Sequence, residues 1–260
     1  MFDLLAKSIL FVTSEYFVIA FVSVGYLTYR KQIFARALFL LLFTMLLNPY
    51  LKSIFEIPLN PCLEKTGWAF PSGHMQTTFC LWGWLLWEIK RKDFAFFALI
   101  LMTAVGAALL HFKYHNLLDL AGAVGFGALT LLVYKVACTL LVQKNHPYLG
   151  TMMAALGLVL IYLTPDNLPH MWIAEGALVG FSLGWGASHR WDRGEWVFKK
   201  RFTVAAAFMG IIGLYLVTIP LKSLISIEGF NFIRFFFVAL WVSYGAEAVV
   251  HVIHKRTKRL

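Results

Sequence analysis

Charged residues are scarce in this chain: they make up 14% of its 260 residues, whereas apolar and aromatic residues make up 60%. A soluble domain of this length is excluded, because it does not need so much apolar surface. The composition indicates an integral membrane protein, whose apolar residues face lipid as well as the core. The three cysteines give no disulfide framework, and there is no linker, low-complexity segment or room for a soluble domain.

Nine apolar runs are long enough, or nearly so, to cross a bilayer, which takes roughly 17–25 residues. They lie at about 9–28, 34–51, 75–89, 94–111, 117–142, 149–164, 171–188, 203–222 and 229–251. The first run has no small-residue cleavage site behind it, so we interpret it as a retained helix rather than a signal peptide. The sequence therefore predicts an all-α, polytopic membrane helix bundle with about nine transmembrane helices. Its glycines at 122, 125, 127, 176, 180, 184 and 186 are expected to allow close helix contact.

Basic residues outnumber acidic ones by 23 to 13, for a formal net charge of +10. In a soluble protein this excess would suggest nucleic acid, but here it lies in short clusters between apolar runs. Threading the runs alternately puts the clusters on one side, which is then cytoplasmic, with the N-terminus outside and the C-terminus inside. The clustered residues are Arg30, Lys31, Arg36, Lys90, Arg91, Lys92, Lys144, Arg190, Arg193, Lys199, Lys200, Arg201, Lys255, Arg256, Lys258 and Arg259.

A polar loop ends in Phe70-Pro71-Ser72-Gly73-His74, just before the third apolar run. Pro71 favours a helix start, and Ser72 can cap the helix that follows. Gly73 lets the backbone approach a ligand closely, and the free N–H groups of a first helical turn bind anions. His74 can transfer protons near neutral pH. These residues predict a phosphate cradle with a proton donor; the alternative is an ordinary helix start with an incidental histidine.

A second polar cluster runs from His111 to Asp119. His115 and Asp119 are four residues apart, so on a helix they share a face. A carboxylate there can fix the imidazole tautomer and leave the other ring nitrogen free as a nucleophile. The alternative is a pair of polar residues at a wet helix end. The spacing of His111 and His115 also fits two metal ligands, but no further ligands are evident beside them, so we expect no metal and no cofactor.

The two clusters resemble motifs of the type 2 phosphatidic acid phosphatase (PAP2) superfamily of membrane phosphatases. The family pattern is a lysine followed six residues later by Arg-Pro, then Pro-Ser-Gly-His, then Ser-Arg, five residues, His, three residues and Asp. This chain has Lys52 for the first motif, the second intact, and His115 and Asp119 at the family spacing. The resemblance covers about 1–142 as a catalytic core, and 143–260 resembles additional transmembrane helices of some bacterial members.

Both motif arginines are absent. Leu59 stands at the arginine position of the first motif, and Ala108 and Leu109 replace the Ser-Arg of the third. In the family both arginines bind phosphate through bidentate contacts that a lysine reproduces poorly. The nearby candidates to replace them are Lys113, His111 and Lys65.

The resemblance implies a metal-independent lipid phosphatase. Lys52, Ser72 and the Gly73 N–H would hold the phosphate, with Lys113 and His111 as further binding candidates. His115, oriented by Asp119, would form a phosphohistidine, and His74 would protonate the leaving oxygen. The partners would be membrane lipids and a lipid phosphate, with no nucleic acid.

The resemblance also implies a setting, which is the periplasmic face of a bacterial inner membrane. The substrate would be a polyprenyl diphosphate, a phosphatidylglycerol phosphate, a phosphatidic acid or a lipid A phosphate. A phosphotransferase with the same site is one alternative. A transporter or binding protein that keeps the scaffold without the chemistry is the other.

Overall fold

The computed structural model describes residues 2–64, 66–142, 148–165, 168–191, 200–218 and 226–257. This part of the chain is helical, as the sequence predicts, and its strand-like pairing is confined to one bridge between Pro58 and Trp68. The helices are α1 (Phe2–Val12), α2 (Glu15–Thr28), α3 (Lys31–Phe55), α4 (Gly73–Ile89), α5 (Lys92–His111), α6 (Leu117–Val142), α7 (Tyr148–Leu163), α8 (Pro169–Trp191), α9 (Lys200–Thr218), α10 (Ile227–Leu240) and α11 (Ala246–Thr257). A π-helical turn, Trp241–Gly245, joins α10 to α11.

The predicted apolar runs coincide with these helices, and several are apolar enough to mark a membrane protein. Among the described residues, α3, α5, α6 and the continuous α10–α11 segment are each long and apolar enough to cross a bilayer by themselves. The bent pair α1 and α2 adds a fifth candidate. The count of nine transmembrane helices stays a prediction.

The first apolar run, predicted as one helix over 9–28, is instead broken between α1 and α2, so this prediction is wrong. Thr13 and Ser14 lie at the break, where the Thr13 hydroxyl donates back to the Leu10 carbonyl at 3.1 Å. Short hydroxyl side chains compete in this way with helical hydrogen bonding. The bend brings Thr13 to the end of the bundle that carries the polar motifs.

Helix α3 is the central helix and contacts α2, α4, α7 and α8. Consecutive side chains such as Leu40, Leu41 and Leu42 are all fully buried, so the helix is apolar around its circumference. A helix of this kind is buried on every side. The last turn of α3 places Lys52 at the end of the bundle that carries the polar motifs.

Helices α8 and α10 pack with their backbones in close contact. Gly176 and Gly180 lie against the main-chain carbonyls of Phe232 and Phe236, where a Cβ would not fit. The predicted role of these glycines is confirmed. It is wrong for Gly125 of α6, because no neighbouring helix of the described part comes within 4 Å of the place its Cβ would take.

The end of the bundle away from the polar motifs carries ion pairs. Lys31 at the start of α3 contacts Glu247 of α11 at 2.7 Å, and Lys135 of α6 pairs with Glu88 of α4. Lys65 lies outside the described residues. So do five of the basic residues predicted to be cytoplasmic, which are Lys144, Arg193, Lys199, Lys258 and Arg259. The side chains of Arg190, Lys200, Arg201, Lys255 and Arg256 are likewise not described.

Candidate active site

The first turn of α4 forms one wall of the site. Ser72 is its N-cap, and the Ser72 hydroxyl accepts the main-chain N–H of Met75 at 3.5 Å. Pro71 lies one residue before the cap rather than in the first turn. The N–H groups of Gly73 and His74 have no preceding turn to bond, so they remain available to an anion.

Asn48 of α3 holds this turn in place, although it is not among the residues predicted from the sequence. Its Nδ2 donates to the Pro71 carbonyl at 3.1 Å and to Gln76 Oε1 at 2.8 Å. A Cβ at Gly73 would lie 2.9 Å from Asn48 Oδ1, so this close approach requires glycine. The available signal was its position one turn before Lys52 on the same helix.

Asp119 orients His115 from the first turn of α6. Its Oδ2 accepts from His115 Nδ1 at 3.3 Å and from the Asn116 main-chain N–H at 2.9 Å. In return, Asn116 Oδ1 accepts the Asp119 N–H at 2.9 Å, which makes a reciprocal helix cap. The side chains of His115 and Asp119 are only 8% and 2% exposed. The carboxylate therefore holds Nδ1 as the donor and leaves Nε2 as the free nitrogen.

The prediction that His115 and Asp119 share a helix face is wrong. Helix α6 begins at Leu117, so His115 precedes its first turn. The helix cap, rather than helical periodicity, brings the two side chains together. A main-chain bond from Ser72 N–H to the Asp119 carbonyl, at 3.2 Å, then links this motif to the first turn of α4.

The two motifs meet in one cavity of about 200 Å³, which we call the anion cavity. Lys52, Gly73, His74 and His115 line it, and the Lys52 ammonium also donates to the Trp68 carbonyl at 2.8 Å. The rest of its wall is Thr13, Met45, Asn48, Pro49, Thr77 and His170. The two motif imidazoles of His74 and His115, an ammonium and a helix N-terminus thus face one small space, an arrangement suited to binding and transferring a phosphoryl group.

His115 also borders a second cavity of about 440 Å³ on the Asp119 side. Lys113 lines this second cavity, as do Leu59 and Asn116. Lys113 has a left-handed backbone with φ 54°, at the turn between α5 and α6. His115 is therefore shared by both cavities.

The pKa of His115 is lowered from its usual value. Burial is the larger cause and the positive charge of Lys52 the second, while the Asp119 carboxylate acts in the opposite direction. A lowered pKa favours the unprotonated imidazole, which is the form a nucleophile requires.

The structure does not bring every predicted residue to the anion cavity. The buried Ser72 hydroxyl serves the helix cap, and Ser72 lines neither cavity. His111 also lines neither: its Nε2 contacts Asp3 of α1 at 2.7 Å, at the surface. Their phosphate-binding roles stay predictions. The described part of the chain has no group of three or more His, Cys, Asp or Glu side chains placed to hold a metal ion.

The two positions that lack arginine differ in their surroundings. Leu59 faces the second cavity. Leu109 is fully buried and packs in an apolar cluster with Met75, Val105 and Leu120. No cationic side chain of the described residues belongs to this cluster.

The anion cavity also includes residues that the sequence did not predict. Thr13 arrives from the bend after α1, Thr77 from α4 and His170 from the start of α8. The signal for His170 was Pro169 directly before it, since proline marks a helix start on the same side as the other motifs.

One of three comparisons with known proteins gives a match, and the match includes residues of this site. Searches of curated proteins and of solved structures each found no significant match. The family model described as the PAP2 superfamily matches residues 49–145, which include Lys52, His74, His115 and Asp119. The segment that carries the two motifs, residues 49–145 of this chain, is therefore similar to the PAP2 superfamily, which comprises phosphatases and related phosphotransferases.

Proposed function

We propose that this protein is a membrane phosphatase that hydrolyses a lipid phosphate monoester or diphosphate through a phosphohistidine at His115. One observation carries the proposal: His74, His115 and Lys52 line a single cavity at the N-terminus of α4, with Asp119 behind His115. The family of the segment supports the same chemistry.

In the first step, Lys52 and the N–H groups of Gly73 and His74 bind the phosphoryl oxygens and stabilise charge in the transition state. The Nε2 of His115 attacks phosphorus while the bond to the leaving oxygen breaks. Protonated His74 gives its proton to that oxygen. Asp119 stabilises the positive charge that develops on the His115 ring.

In the second step, His74 is neutral and takes a proton from water as the water oxygen attacks phosphorus. The phosphorus–nitrogen bond breaks, His115 is restored and inorganic phosphate leaves. Lys113, at the second cavity, assists binding from the Asp119 side. Side chains and main-chain N–H groups of the protein carry all of these steps, and we propose no metal.

The size of the anion cavity favours a lipid head group. At about 200 Å³ it is smaller than the roughly 300–1,000 Å³ of pockets that enclose a whole drug-sized ligand. It holds a phosphate and its neighbouring atoms, while the acyl or prenyl chains stay in the bilayer. Polyprenyl diphosphates, phosphatidylglycerol phosphates, phosphatidic acids and lipid A phosphates all meet this requirement.

The test is a panel of these lipid phosphates with the purified full-length protein in detergent, in chelator, beside the His115→Ala variant. We expect phosphate release from at least one substrate, inhibition by vanadate, and a loss of about 10³-fold or more in His115→Ala. Equal release by both proteins would rule out the proposed nucleophile. Release that stops with chelator would favour a metal site instead.

A phosphotransferase is the second candidate, because the second cavity gives an acceptor molecule space beside His115. Transfer of labelled phosphate to a second lipid in the same panel would identify it. Stabilisation of the wild type by lipid phosphates, without release or transfer, would instead indicate a non-catalytic binding protein or transporter.

We further propose that the site opens on the periplasmic face of a bacterial inner membrane, with the N-terminus outside and the C-terminus inside. The basic residues and ion pairs at the opposite end of the bundle support this orientation. Cys62 offers a direct test, because it is exposed at the site end while Cys80 and Cys138 are buried. A membrane-impermeant maleimide should label Cys62 in spheroplasts, with Cys62→Ser as the control; labelling confined to inverted vesicles would reverse the orientation.

A further inference from the structure

Helix α8 contributes a third imidazole to the anion cavity. His170, the second residue of α8, lies outside the PAP2 segment at 49–145, yet it lines the same cavity as Lys52, His74 and His115. It is half-buried, and its ring forms no hydrogen bond with another residue of the described part. A histidine with free ring nitrogens in a cavity for anions is available to a ligand.

The cavity carries little positive charge for a phosphate ligand, so a further hydrogen-bond donor would strengthen binding. Among the described residues that line it, Lys52 is the single lysine or arginine. A phosphate monoester carries about −1.5 to −2 charges near neutral pH and three strong acceptor oxygens. Leu109, at one motif arginine position, is sealed in an apolar cluster and supplies none of the missing donors.

The position of His170 matches that of His74. Each is the second residue of its helix, and each side chain lines the anion cavity. The positive end of α8 therefore reaches the cavity as the positive end of α4 does. Packing of α8 on α3, α7 and α10 fixes this helix, and the side chain with it.

We propose that His170 binds the phosphoryl group, donating a hydrogen bond to one of its non-bridging oxygens, and so replaces part of the missing arginine contacts. This inference rests on the proposed phosphatase function. His170 differs from His115 because no carboxylate of the described residues orients its ring, so it binds rather than attacks. The helices after the PAP2 segment then complete the substrate site.

The first test measures inorganic phosphate binding to full-length protein in detergent, in the inactive His115→Ala background. Adding His170→Leu should weaken phosphate binding about tenfold, the scale of one hydrogen bond to a charged group. His170→Gln, whose side-chain amide keeps an N–H donor, should bind several-fold more tightly than His170→Leu. The matched control is His251→Leu on α11, which lies outside both cavities.

The second test uses the active protein, where His170→Leu should raise KM about tenfold and change kcat less than about threefold. If the phosphate affinity and the KM of His170→Leu both stay within twofold of those of the His251→Leu control, the role of His170 is overturned while the phosphatase remains intact. Absence of hydrolysis by the wild type would instead reject the proposed function, and the binding measurement would still decide the role of His170.

Discussion

His115 Nδ1 and Asp119 Oδ2 lie 3.3 Å apart, and the same carboxylate oxygen accepts the Asn116 N–H that caps α6. Asp119 thus orients His115, the proposed nucleophile, and also caps the start of α6. Because the two tasks use different properties of the side chain, charge for one and an acceptor atom for the other, substitutions can separate them.

Asp119→Asn keeps an acceptor for the Asn116 N–H but removes the negative charge beside the His115 ring. We expect kcat to fall by about 10²–10⁴-fold, since the amide neither fixes the tautomer nor stabilises the imidazolium. Its stability should stay close to that of the wild type. Asn116→Ala is the matched control: it should lower the free energy of unfolding by about 1 kcal/mol and kcat by less than about tenfold. Steady-state kinetics and thermal unfolding measure both, and equal losses of kcat in the two variants would contradict the assignment.

After burial, Lys52 is the second cause of the lowered pKa of His115, and this predicts an effect of Lys52 on the pH dependence of activity. Its positive charge lowers the pKa of His115, so Lys52→Gln should raise that pKa towards the usual value for histidine. Since the nucleophile must be unprotonated, activity falls as pH drops through this pKa. The acid limb of kcat/KM should therefore move to higher pH in Lys52→Gln. It should stay in place in Lys113→Gln, a lysine at the second cavity; an unmoved limb in both variants would show that Lys52 does not act on His115.

Local signals explain which parts of the site could be predicted. Ser72 caps α4 as predicted, because a capping residue acts within one turn of itself. The spacing of four residues correctly predicted that His115 and Asp119 lie close together. It predicted the wrong cause, because helix α6 starts two residues after His115. The competing signal was Asn116, whose capping preference stops the helix from extending back to His115.

Tertiary packing explains what could not be predicted. Asn48 and His170 lie outside the two polar clusters in sequence, and they reach the cavity because the last turns of α3 and the first turn of α8 lie on the same side of the bundle. Their local signals, the turn before Lys52 and the proline before His170, are weak because packing residues share them. The helical runs themselves were predictable, because long apolar stretches are a strong and local signal.

Gly73→Ala tests how closely α4 must approach α3. The new Cβ would lie 2.9 Å from Asn48 Oδ1, whose side chain is held by hydrogen bonds to Pro71 and Gln76. We expect a loss of about 1–3 kcal/mol in stability and at least about tenfold in kcat/KM, because the anion-binding turn must shift. Gly125→Ala is the control, since its Cβ meets open space, and it should be neutral or more stable by about 0.5–1 kcal/mol. Denaturation midpoints and kinetics of the two variants compare them, and a fully active Gly73→Ala would show that the close approach is not needed.

Restoring the two missing arginines one at a time should give opposite results. Leu59 faces the second cavity, so Leu59→Arg can place its guanidinium in that space and should leave the melting temperature close to that of the wild type. Leu109 is fully buried against Met75, Val105 and Leu120, so Leu109→Arg puts an unpaired charge into an apolar cluster. We expect it to lose about 3 kcal/mol or more of stability. Thermal unfolding in detergent measures both, with Leu59→Met and Leu109→Met as uncharged controls. A stable and active Leu109→Arg would mean that this position can open towards the anion cavity, and that its apolar packing is not what keeps arginine out.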